Sequence, residues 1–83
     1  MKARRLIEDS HYEPRTLRII FDGFDQAWND VADQFGTDAR TIEDARLRLA
    51  RACLIVARDG SDDPERIKMD ALQVMALAYR KRA

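Results

Sequence analysis

Large apolar side chains recur in the first half of the chain at Leu17, Phe21, Phe24, Trp28, Val31 and Phe35, in steps of four, three, four, three and four. That spacing keeps them on one stripe of a helix. Ile20, Ala27 and Ala32 widen the stripe, and Asp22, Asp25, Asn29, Asp30 and Asp33 fall opposite. Pro14 suits a first helical position, where its missing N–H costs nothing, and Gly36 suits the residue just past the end. The pattern predicts a helix over 14–35.

A second seam, Ile42, Ala45, Leu49, Cys53 and Val56, predicts a helix over 39–58, closed by Gly60. Thr37, Asp38, or Thr41 with Asp44 three residues on, can cap its start. Glu43, Asp44, Arg46, Arg48 and Arg51 are expected to face outward. Beyond Arg51 the polar face disappears, because residues 52–57 are all apolar and at ~100° per residue they cover the whole circumference. A third helix is predicted over 64–80, with Asp62 or Asp63 as N-cap and Pro64 in its first turn. Between Ala71 and Tyr79 only Gln73 is polar. Residues 1–13 mix charge with Leu6, Ile7 and Tyr12 at no useful period, and are expected to form an N-terminal arm with one helical turn at most, packed on a second subunit.

The reading is therefore all-α: a single domain over 14–83, an antiparallel three-helix bundle preceded by the arm. In that topology Arg80, Lys81 and Arg82 arrive at the pole holding Asp30, Asp33, Asp38, Glu43 and Asp44, whose charge they offset. Each helix of such a bundle leaves part of its surface to water, and the runs 52–57 and 71–79 have no polar side to leave there. A homodimer that covers both runs is predicted, with Leu54, Ile55, Val74, Met75 and Tyr79 as candidate interface residues. The alternative is that the arm itself lies over the second helix and hides its run within one chain.

Composition narrows the function more by exclusion than by assertion. The chain has 83 residues, 15 basic and 15 acidic, for a net charge of zero, which argues against coating nucleic acid or an anionic membrane. Cys53 is the only cysteine, so an internal disulfide is impossible and a reducing, cytoplasmic compartment is expected. The basic start has no apolar stretch behind it, and no run approaches the ~18 apolar residues of a spanning helix, so neither export nor a membrane is predicted.

Candidate chemistry fares no better. The twelfth position counted from Asp59, where a calcium loop needs a glutamate, is Asp70, well inside the third helix. His11 reads as an exposed arm residue beside Glu8, Asp9 and Glu13. Cys53 has no base expected near it, and the helix-1 aspartates lie on a wet face rather than in a pocket. Trp28 reads as a core anchor; Met69, Met75 and Tyr79 read as core or interface residues, with a recognition groove as the second reading. No enzyme activity, cofactor, metal or small-molecule substrate is predicted.

The strings FDQAW and FG of the first helix, ARLRLA of the second and ALQVMALAYR of the third resemble those of a family of short bacterial all-helical proteins with no assigned function. The resemblance spans about residues 14–80 and implies a compact helical domain without implying an activity. These readings converge on a non-catalytic protein that acts through protein–protein interaction as a homodimer, in a regulatory role or with a further protein partner. The alternative is a nucleic-acid-associated accessory protein that uses Arg46, Arg48, Arg51 and Arg58 together with Lys2, Arg4, Arg5 and the tail Arg80, Lys81 and Arg82, as one stripe in a dimer.

Overall fold

The computed structural model describes residues 2–60 and 62–80, with side chains as far as Leu77. Its elements are all helical: α1 (Lys2–Glu8), α2 (Pro14–Val31), a 3-10 turn (Ala32–Phe35), α3 (Ala39–Arg58) and α4 (Pro64–Arg80).

The expected arm is corrected first, because it holds a helix that packs on its own chain. Seven residues are too few to be helical on their own account, so tertiary contact has to hold α1 in place. Ala3 and Ile7, four residues apart, form its inner face and are wholly or almost wholly buried, mainly against α3. Burying a side chain the size of Ile7 contributes about 1.5–3 kcal/mol. On its outer side the Arg4 guanidinium lies 4.7 Å from the centre of the Phe21 ring and 3.5 Å from the Asp25 carboxylate, which ties α1 to α2. The helix stops where Asp9 and Ser10 donate their N–H groups back to Arg5 and Ile7, and His11 follows at φ 65°, a left-handed conformation that turns the chain toward α2.

Pro14 does open α2, but the predicted helix 14–35 remains α-helical only to Val31. Val31 leaves the α register at φ −118°, and the last four residues wind more tightly before Gly36 reverses at φ 71°. Two residues seven apart on a continuous α-helix stand about 10.5 Å apart along the axis. The break instead brings the Phe35 ring onto Trp28, stacked at 5.8 Å between centres.

Of the three possible caps for α3, Asp38 takes the position: its carboxylate accepts from the Thr41 N–H at 3.0 Å and the Thr41 hydroxyl at 2.8 Å. Those two bonds, the hydroxyl first, hold the Asp38 carboxyl below its ordinary pKa. Asp63 performs the same service for α4, accepting from the Arg66 N–H at 2.9 Å. The expectation for Arg80, Lys81 and Arg82 falls on side chains outside the described residues.

α2 and α4 share the most extensive contact, and Gly23 is the reason they can approach. A Cβ at this position would stand 2.7 Å from Ile67 Cγ2 and 2.9 Å from the Pro64 carbonyl oxygen. Glycine inside a helix costs roughly 1 kcal/mol relative to alanine, and here it lets two backbones touch. Lys68 then binds Asp30, about two turns beyond Gly23 on α2, at 2.7 Å. The core between the helices is apolar throughout, with Phe24, Ile7, Ile20, Leu49, Ile67 and Cys53 its largest wholly buried members.

Candidate interaction face

The outward positions of the helices differ in kind. On α2, from Arg15 onward, they are Arg15, Arg18, Asp22, Asp25, Gln26, Asn29 and Asp30, all polar. On α1 they are Lys2, Arg4, Arg5 and Glu8. Helix α4 turns out Glu65 and Arg66 in its first turn and then Met69, Gln73, Ala76 and Leu77, the last four within about 100° of one another around the axis. Met69 is 61% and Leu77 53% exposed, and with Ile55 they are the exposed large hydrophobic side chains among the described residues. Beside this stripe runs a cleft of about 590 Å³. Val56, Val74 and Leu77 give it apolar walls, and the turn residues Asp59, Asp62 and Asp63 rim one end. Arg66 at its edge is bound to Asp70 at 3.3 Å.

Of the five residues predicted as an interface, the four whose side chains are described do not form one patch. Val74 is half-buried and lines the cleft. Met75 is only 6% exposed and packs into the core, because it shares the inward face of α4 with Ala71 and Ile67, four and eight residues before it. Leu54 is half-buried, with the Tyr12 hydroxyl donating to its carbonyl oxygen over a long 3.5 Å. Ile55 is half exposed, but on a different side of α3, with Arg51 and Arg58. The Tyr79 side chain lies outside the described residues. Leu77, Ala76 and Gln73, absent from the predicted set, belong to the face. Their signal was a second helical spacing, 69, 73, 76 and 77, running opposite the inward one.

The run 52–57 is largely covered within the chain: Ala52, Cys53 and Val56 are buried and Leu54 and Ala57 half-buried. Burial alone pushes the Cys53 thiol up to about 12, so it stays protonated and unreactive at neutral pH. Arg46, expected outward, is half-buried, with its guanidinium 5.2 Å from the centre of the Trp28 ring. Trp28 thus carries Arg46 and Phe35 on one indole and is half-buried at the edge of the core. Among the described residues no three His, Cys, Asp or Glu side chains converge to hold a metal ion, and no helix is long and apolar enough to cross a membrane. No protein-family model, curated protein or solved structure matches the chain.

Proposed function

We propose that this chain is a non-catalytic, cytoplasmic interaction protein that holds another protein chain on the outward face of α4. One observation carries the reading: beyond its charged first turn α4 turns Met69, Ala76 and Leu77 to water around Gln73, where the exposed positions of α1 and of α2 from Arg15 onward are all polar. Large apolar side chains grouped on one exposed helix face are of the kind found at contact sites on soluble domains. In this reading the three long helices run up, down and up. Tyr12 beside Leu54 and Arg46 beside Trp28 support opposite senses for α2 and α3, while Ile67 beside Gly23 and Lys68 beside Asp30 support a common sense for α2 and α4.

The test is retention of proteins from native cell extract by the immobilised chain and by its Leu77→Glu variant. Proteins held by the first and released by the second support the face as the binding surface; identical retention by both rules it out. A second reading rests on α3, where Arg40, Arg51 and Arg58 are exposed and Lys2 of α1 lies beside Arg40. Glu43 and Asp44 share that surface and weaken its pull on phosphates. A salt-sensitive shift of labelled DNA at micromolar protein, lost on Arg51→Glu, would favour it.

A further inference from the structure

We propose that α1 is an exchangeable element: two copies of the chain trade their α1 helices, so that each seats Ala3 and Ile7 on the α2 and α3 of the other. The exchange is independent of the reading of α4 as a contact face.

The seat is defined by its present occupant. Ala3 and Ile7 are buried, mainly against α3, while Arg4 reaches the Phe21 ring at 4.7 Å and the Asp25 carboxylate at 3.5 Å on α2. α2, α3 and α4 each touch the other two, so α1 bridges no gap between them. The joint between α1 and α2 is where the closed and exchanged arrangements differ. Its backbone hydrogen bonds belong to one side or the other: Asp9 and Ser10 donate back to Arg5 and Ile7, and Leu17 donates to Glu13. Between them His11 turns the chain at φ 65°, and among the described residues it is the one residue other than glycine with a positive φ. Its Cβ disfavours that conformation relative to an extended one.

Exchange remakes every contact of the seat with the other copy's residues, twice over about a two-fold axis, and lets both His11 residues extend. Opened out, residues 10–13 reach about 13 Å, which crosses to a copy placed against the hinge. What exchange loses is the freedom of the second chain; what it gains is relief at two hinges. The exchanged pair therefore forms at high concentration and parts slowly, since both α1 helices must leave their seats.

The experiment holds the full chain and its variants at millimolar concentration just below the melting temperature, cools them, and sizes them after dilution to micromolar. The parent is expected to yield a dimer that outlasts the dilution. His11→Gly, which accepts φ 65° without strain, lowers that yield roughly ten-fold. His11→Pro, whose ring forbids a positive φ, is dimeric even at micromolar concentration and keeps its helical circular dichroism. Arg4→Glu and Asp25→Arg each set like charges at the seat of α1. Mixed, heated and cooled together at low salt, they pair opposite charges at both seats only if each α1 lies on the other chain, and the mixed dimer then exceeds its statistical share several-fold. Equal dimer yields from the parent, His11→Gly and His11→Pro overturn the exchange, as does a mixed dimer absent or no commoner than chance. If His11→Pro fails to fold, the mixed pair decides alone.

Discussion

The chain contains two apolar runs of similar strength, 52–57 in α3 and 71–77 in α4, and they meet different fates. In α3 the run is covered within the chain, with Ala52, Cys53 and Val56 buried and Leu54 and Ala57 half-buried, leaving only Ile55 substantially outside. In α4 no further element is at hand among the described residues, and Met69, Ala76 and Leu77 stay in water. An apolar excess is therefore a demand for cover, and whether the cover comes from within the chain depends on what else the chain can spare.

The sharpest way to break that contrast is to remove the cover. Ile7→Ala should cost about 3 kcal/mol in denaturant unfolding, since an isoleucine with no exposed surface is truncated and α1 has little else to hold it. Cys53 reports the same event: in the parent protein at pH 8 a thiol reagent should label it only through opening, and in Ile7→Ala labelling should be many times faster. The sign of its titration agrees, because a thiol raised by burial favours folding below the ordinary thiol pKa, and that contribution is lost as pH rises toward about 12. Unchanged labelling in Ile7→Ala would mean that Cys53 becomes accessible through an opening that leaves Ile7 in place.

Gly23→Ala acts on the seat of α4 rather than on the cover of α3. Alanine is worth roughly 1 kcal/mol more than glycine in a helix interior, yet here a net loss of about 1–3 kcal/mol is expected, because the new methyl meets Ile67 and the Pro64 carbonyl. A gain in thermal melting temperature would show that the two helices separate more easily than their contact implies. The smallest effect belongs to the open face. Leu77→Ala in dilute solution should change unfolding free energy by less than about 0.5 kcal/mol. A cost approaching that of Ile7→Ala would place Leu77 in the monomer core.

The sequence pattern located three helices because each has a punctuated start and a long seam: Pro14 and Gly36, Asp38 and Gly60, Asp63 and Pro64. It missed α1 because Ala3, Leu6 and Ile7 are too few to establish a period, and their helicity is imposed by α3. It missed the break at Val31 because nothing in 31–35 is a helix breaker; the stacking of Phe35 on Trp28 decides that turn. For the contact face, the run 71–79 announced excess apolar surface without saying which residues point in. Met75 and Leu77 are equally apolar, and only the position of α2, set by Gly23 against Ile67, sends one inward and the other out.

Trp28 is the sole tryptophan, and it is touched by a guanidinium from α3 and a ring from the turn that ends α2. The protein accordingly carries its own optical gauge at one corner, where indole emission follows the seating of α3 on α2. The free thiol of Cys53, with no exposed surface, is reached only when the core opens. Two native handles, one read by its own emission and one by its reaction with a thiol reagent, thus report on two parts of the chain with no residue introduced.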